Sequence, residues 1–239
     1  MPPIPARTVE PEVSSPLTHS RQLLVVTATD WTSTTADLQR YVRERADTEW
    51  QAVGRPTLVS LGKSGLAWGL GLHHHTGTEG LPKREGDGRA PAGIFAITAL
   101  FGEADDESQF AQSARLPYRC ATGDLKCIDD PASCYYNRVI DQREVDTVDW
   151  RSHEDMLRDD ERYAIGAVIS HNSACLPEAG SCIFLHVWQA AGIPTAGCTA
   201  ASLADVSEIC LWLDKTAHPL LVQLPEAEYR RHQEDWGLP

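Results

Sequence analysis

The chain has 239 residues, 42% of them hydrophobic and 23% charged, a composition that supports at least one full hydrophobic core. Its 34 acidic against 21 basic side chains leave a formal net charge of −13, the wrong sign for a phosphate backbone or an anionic membrane surface, so neither is expected as a partner. No apolar run approaches the roughly 18 residues that a membrane-spanning helix needs, and no membrane insertion is expected.

Residues 2–20 are rich in Pro, Ser, Thr and Glu and read as a flexible leader, with the folded domain over 21–239. The opening MPPIPARTVEPEVSSPL looks like the start of a mature exported chain with a methionine added, which implies a periplasmic or secreted protein whose export signal was removed upstream. Residues 22–28, QLLVVTA, predict a strand. Residues 34–45 read either way: Leu38, Tyr41 and Val42 fit a helix, whereas Leu38, Arg40 and Val42 fit an alternating strand. Residues 50–53 and 57–61 predict two further strands separated by Gly54-Arg55-Pro56. The triplet His73-His74-His75 reads as a solvated loop, because adjacent side chains on a strand point to opposite faces and cannot share one ligand set. KREGDGRAPAGIF (83–95) is a polar loop running into a strand.

Farther along, Asp129, Asp130, Tyr136 and Asn137 gather in one loop, where Asp-Asp-Pro and Asn are good turn formers. Residues 150–157 predict a short helix capped by Ser152 with Asp155 completing the capping box, and with His153 and Glu154 solvated. YAIGAVIS (163–170) is an apolar strand placed beside the strand of His186; His171 closes it, either packed at the strand end or turned into a cleft. After Leu221 the tail is polar and is expected to pack against the outside of the domain.

The organising stretch is 180–214. Period two over CIFLHVW places Phe184, His186 and Trp188 on one face and Ile183, Leu185 and Val187 on the other. A loop leads to Thr195-Ala196-Gly197-Cys198, a turn whose amides are expected to be free to converge. Ser202 with Asp205 then caps a helix whose Leu203, Val206, Ile209, Cys210 and Leu213 recur at helical spacing. A histidine and a cysteine brought together can form a nucleophile, since an imidazole in reach takes the thiol proton. Seven cysteines (Cys120, Cys127, Cys134, Cys175, Cys182, Cys198, Cys210) point to an oxidising compartment, and their odd number fits disulfides plus one free thiol, for which Cys198 is the candidate. Cys127 with Cys134, and Cys175 with Cys182, flank short loops that each pair could staple; a zinc site is disfavoured because no Cys-x-x-Cys pair occurs.

His186 on a strand, followed by Thr195-x-Gly197-Cys198, resembles the signature of the YkuD-type L,D-transpeptidase family, in which a strand His precedes Ser/Thr-His-Gly-Cys. The chain departs from it at Ala196, where a second His is usual, at Thr199-Ala200-Ala201, which replaces Ile/Val-Arg-Leu, and at Val187, where Gly or Ser is common. Pro91, Gly93 and Phe95 are similar to the family's Thr-Pro-x-Gly-x-Phe element, with Ala90 in place of Thr, and Asp129-Asp130-Pro131-x-Ser133-x-x-Tyr136-Asn137 resembles a subgroup of it. The resemblance implies a mostly-β catalytic sandwich or barrel with a few short helices, and a monomeric bacterial cell-wall enzyme acting on peptidoglycan stem peptides. In that reading Cys198 is the nucleophile, His186 its base, and the amides of Ala196, Gly197 and Cys198 the oxyanion donors. Thr195, Trp188, Tyr136, Asn137, Asp130 and His171 are the candidate substrate contacts. The chemistry calls for no metal and no organic cofactor. An L,D-carboxypeptidase or endopeptidase on the same scaffold, and a non-catalytic peptidoglycan-binding module, are the alternatives.

Overall fold

Runs of apolar and alternating residues fold here into strands that close on themselves. A computed structural model describes residues 15–73 and 80–239; His74 and His75, and the leader up to residue 14, lie outside them. In chain order the strands are β1 (Gln22–Ala28), β2 (Thr35–Val42), β3 (Gln51–Ser60), β4 (Leu66–Trp68), β5 (Ala90–Gly102), β6 (Tyr118–Cys120), β7 (Leu125–Cys127), β8 (Val139–Asp141), β9 (Glu154–Asp155), β10 (Ile165–Ile169), β11 (Phe184–Val187), β12 (Thr199–Ala201) and β13 (Leu220–Pro225). The helices are α1 (Gln109–Ser113), α2 (Leu203–Trp212) and α3 (Glu226–Trp236). The main sheet runs β10-β11-β12-β3-β2-β1-β13-β5, and β5 pairs back with β10, so the protein is mostly β and its sheet is a closed barrel; β4 and β6 attach to β5. Closure leaves these strands without a free edge. β7, β8 and β9 form a separate three-stranded sheet.

The strand over 22–28 forms as its pattern predicts, and residues 35–42 take the strand alternative because β2 pairs antiparallel with both β1 and β3. The two strands expected around Gly54-Arg55-Pro56 are one. Leu38 faces Thr57 and Arg40 faces Val53, so residues 54–56 bulge opposite Gln39 instead of turning the chain. A bulge is a place where a proline within a strand costs no ladder hydrogen bond.

The polar tail expected beyond Leu221 begins later. β13 is wholly buried between β1, its parallel partner, and β5, its antiparallel one. Only α3 lies outside, with His232 and Trp236 on its buried face. The leader also ends earlier than 20: Leu17 is 1% exposed, the Ser15 hydroxyl donates to the Trp236 carbonyl at 2.6 Å, and the Arg43 guanidinium holds the Leu17 and Ser20 carbonyls.

Among the described residues two hydrophobic clusters result. The larger gathers Ile183, Leu185 and Val187 of the β11 region with α2 and the barrel strands. The smaller packs Phe101, Tyr163 and Phe184 against Leu125, Cys127 and Met156 of the small sheet, with Cys182 and Cys198 among them. A disulfide joins Cys127 to Cys182, 55 residues apart, and ties that sheet to the barrel. Neither expected local staple forms. β7 lies against the entrance to β11, so Cys127 meets Cys182, while Cys134 sits on an exposed turn whose amide donates to Asp149 at 3.0 Å.

Candidate active site

β11 sets the site by its register. It pairs antiparallel with β10, His186 facing Gly166, and parallel with β12, Leu185 facing Thr199 and His186 facing Ala200. A parallel pair needs a crossover, and the loop after Val187 makes it. Its last residue, Cys198, lands beside Phe184, whose amide donates to Sγ at 3.3 Å; Sγ in turn donates to the Cys182 carbonyl at 3.5 Å. Alternation along β11 does the rest. Phe184 faces the smaller cluster, and the His186 ring meets Tyr163 edge-on at 5.3 Å.

The turn before Cys198 is held by Thr195. Its hydroxyl donates to the Cys198 carbonyl at 2.6 Å and accepts from the Gly197 amide at 3.1 Å. Two expectations change accordingly. Thr195 shapes the turn with its hydroxyl, whose proton is spent on the Cys198 carbonyl, and the Gly197 amide is spent inside the turn. Among the described residues the amides of Ala196 and Cys198 have no protein acceptor, which leaves those two as the free pair. Gly197 itself has φ +156, and a Cβ there would stand 3.1 Å from the Arg89 carbonyl, so backbone angle and close approach together disfavour a side chain.

Electrostatically the resting pair is neutral. Burial, reinforced by the charge of Glu154, pushes the Cys198 thiol up to about 12, against the opposing pull of the Phe184 amide and Lys83. Burial drives His186 down to about 4 despite the Val187 carbonyl beside it. That carbonyl lies 2.8 Å from Nδ1, which favours a proton on Nδ1, and the Arg162 carbonyl also acts on the ring as a hydrogen-bond acceptor. Among the described residues no hydrogen bond joins His186 to Cys198, so the expected thiolate–imidazolium pair is not formed at rest.

Cys198 (8% exposed), His186, Trp188, Thr195 and Ala196 line one cleft of about 370 Å³. The same cleft is lined by residues that the sequence reading did not select: His153, Glu154, Asp155, Arg158, Arg162 and Tyr163. No helix forms at 150–157. Residues 154–155 are the strand β9, paired with β7 (Lys126 facing Asp155, Cys127 facing Glu154), and that pairing carries Glu154 to the cleft. The Tyr163 hydroxyl donates to Glu154 Oε2. Burial raises the Glu154 carboxyl above the usual carboxylate range, although the Tyr163 bond opposes the shift. Asp160 binds both arginines, accepting from Arg158 Nε at 3.2 Å and Arg162 Nη2 at 2.6 Å. Nothing in the polar run around Glu154 signals this role, which depends on a two-residue strand.

The remaining candidate contacts do not line this cleft and are hydrogen-bonded within the protein. Asn137, at φ +60, donates to the His171 and Asn172 carbonyls at 2.8 and 2.9 Å and accepts from the Cys182 amide at 3.0 Å. It pins the segment that enters β11. Tyr136 is buried, donating to Glu85 and accepting from the Gly180 amide at 3.1 Å. Asp130 closes a turn by accepting from the Ala132 and Arg151 amides at 3.0 and 2.7 Å. His171 takes the packing alternative: Nδ1 accepts from the Leu70 amide at 3.1 Å, Nε2 donates to the Ala179 carbonyl at 2.9 Å, and burial lowers it to about 4. His171 and Asn137 line a different depression, of about 510 Å³, together with Cys127 and Cys182.

No protein-family model matches this chain, and no curated protein matches it.

Proposed function

We propose that the protein is a cysteine acyltransferase of the YkuD L,D-transpeptidase type that works on peptidoglycan stem peptides in an extracytoplasmic compartment. The observation that carries this reading is Cys198: a free thiol in a cleft shared with His186, next to two amides with no protein acceptor. The Thr195-x-Gly197-Cys198 turn supports the family, and the Cys127–Cys182 disulfide supports an oxidising compartment.

In the proposed reaction Cys198 Sγ attacks the carbonyl carbon of an L-centre in the donor stem, and His186 takes the thiol proton. Because the two groups are not bonded at rest, transfer occurs in the substrate complex, where bound peptide excludes water and draws the groups together. The amides of Ala196 and Cys198 stabilise the oxyanion. The C–N bond breaks, the amine leaves with the proton from His186, and the stem remains as a thioester on Cys198. An acceptor amine then makes a new amide, or water trims the stem. Trp188 shields one side of the cleft.

A specific observation favours a second reading. A neutral thiol and a neutral imidazole without a mutual hydrogen bond also suit a peptidoglycan-binding module that does no chemistry. Mass spectrometry of the protein incubated with purified muropeptides decides between them. The acyltransferase gives an adduct on Cys198 that is absent from Cys198→Ala, with exchanged or trimmed stems; binding with no adduct and no turnover makes it a module.

A further inference from the structure

Glu154 is a cleft carboxylate that the Cys198–His186 chemistry leaves unused. Pairing of β9 with β7 fixes its backbone, and the Tyr163 hydroxyl fixes Oε2. Among the described residues Oε1 has no hydrogen-bond donor, and no cationic side chain pairs with the carboxylate. The two arginines of the cleft direct their hydrogen bonds to Asp160, not to Glu154, although the Arg158 charge draws the Glu154 carboxyl down. A partly buried carboxylate whose nearest cations, Arg158 and Arg162, act on it through space without bonding to it is incompletely compensated, and a cationic ligand at Oε1 adds the missing contact.

The charge of Glu154 also opposes the first half-reaction, since it is one of the two influences that push the Cys198 thiol up. A thioester carries no charge, so the penalty vanishes once Cys198 is acylated. The same carboxylate then favours an approaching ammonium group.

We propose that Glu154 is the acceptor site of this cleft, binding the ammonium group of an amine acceptor and taking the proton that converts it into a nucleophile. The proposal rests on the acyl-transfer reading and says which half-reaction Glu154 serves. The acceptor ammonium docks on Oε1 and passes one proton to it. The freed electron pair attacks the thioester carbonyl carbon, the C–N bond forms and the C–S bond breaks. Cys198 leaves as thiolate and regains a proton from the same nitrogen through His186, while Glu154 releases its own to solvent. Burial helps here, because a raised carboxyl holds a proton more readily at neutral pH.

The test uses a tetrapeptide stem ending in D-alanine as donor and isotope-labelled D-alanine as acceptor. The readouts are the ratio of labelled tetrapeptide to hydrolysed tripeptide and the adduct on Cys198, in wild type, Glu154→Gln, Glu154→Asp and Tyr163→Phe. The expected result is a ratio at least tenfold lower in Glu154→Gln, with more D-alanine needed for half-maximal exchange. Glu154→Asp recovers part of the ratio, and Tyr163→Phe lowers it by a smaller factor. An adduct on Cys198 with the same ratio in wild type and Glu154→Gln overturns the proposal, as does a wild type that forms only tripeptide. Absence of any adduct in the wild type has a different signature and removes the acyl-transfer reading itself. Should Glu154→Gln form no adduct, the ratio in Glu154→Asp and Tyr163→Phe decides by the same criterion.

Discussion

Cys198 is packed as a core residue and placed as a cleft residue, and the two roles pull its thiol in opposite directions. Its sulfur accepts from the Phe184 amide, which favours thiolate, but burial and the Glu154 charge outweigh that bond and raise the thiol to about 12. Alkylation of the folded, substrate-free protein by iodoacetamide at pH 8 should therefore be at least tenfold slower at Cys198 than for free cysteine, and should climb through pH 10 without a plateau, as read by peptide mass spectrometry. A plateau near neutral pH would mean a preformed ion pair with His186. Glu154→Gln removes the negative charge and should speed this alkylation at any fixed pH, because a neutral neighbour lowers the cost of thiolate. Cys198, His186, Trp188, Thr195 and Ala196 line one cleft; alternation along 182–188 gave only the shared face of His186 and Trp188, and the link from that strand to Thr195-x-Gly197-Cys198 was an implication of the family resemblance. Thr195 and Gly197 were legible as a turn but not in their use of each other's hydrogen-bonding groups.

At the scale of elements, local chemistry carried furthest where the chain makes its own hydrogen bonds. Ser202 Oγ accepts from the Asp205 amide at 3.1 Å and caps α2, and Val206, Ile209, Cys210 and Leu213 are buried as the helical period requires; Leu203, 43% exposed, is the exception. Ser202→Ala should cost about 1 kcal/mol in a urea titration, the usual worth of such a cap. Since α2 follows β12 directly after Cys198, the same substitution should also raise hydrogen exchange across 199–206. The capping pattern at 150–157 misled for a stated reason: β7 offers the segment 154–155 a strand partner, and tertiary pairing overrides a weak helix signal. The disulfide was missed similarly, because loop-flanking spacing cannot show which strands pack together.

Across the whole molecule, the Cys127–Cys182 bond joins the small sheet to the barrel over a separation of 55 residues. Replacing both cysteines by serine should lower unfolding free energy by about 4 kcal/mol on a loop-closure estimate, measured by guanidinium titration without reductant. It should also slow any acyl transfer, because the Cys182 carbonyl and the Phe184 amide that hold Sγ adjoin the bond. Acid is the second global lever. His171 and His186 are each lowered from an ordinary 6.5 to about 4 by burial, so the unfolded chain binds their protons first as pH falls. Their contribution is fully present above pH 6.5 and is lost progressively down to about 4, worth about 2 kcal/mol per histidine by pH 5. Chemical denaturation at pH 7.5 and pH 5 should show this loss, with a smaller one in His171→Asn.

By itself the sequence determined the local periods: the strands over β1, β10 and β11, the turn before Cys198 and the cap of α2; the mostly-β class was an implication of the family resemblance. The local periods follow from side-chain alternation and from hydrogen bonds between near neighbours, which need nothing distant. Only the tertiary structure decided the barrel closure of β5 on β10, the burial of β13 in the sheet, the pairing of Cys127 with Cys182, and the arrival of Glu154 and Tyr163 in the cleft of Cys198. Each joins segments far apart in the chain, and the free energy that selects them comes from burying apolar surface and pairing backbone across that distance, which no local pattern encodes.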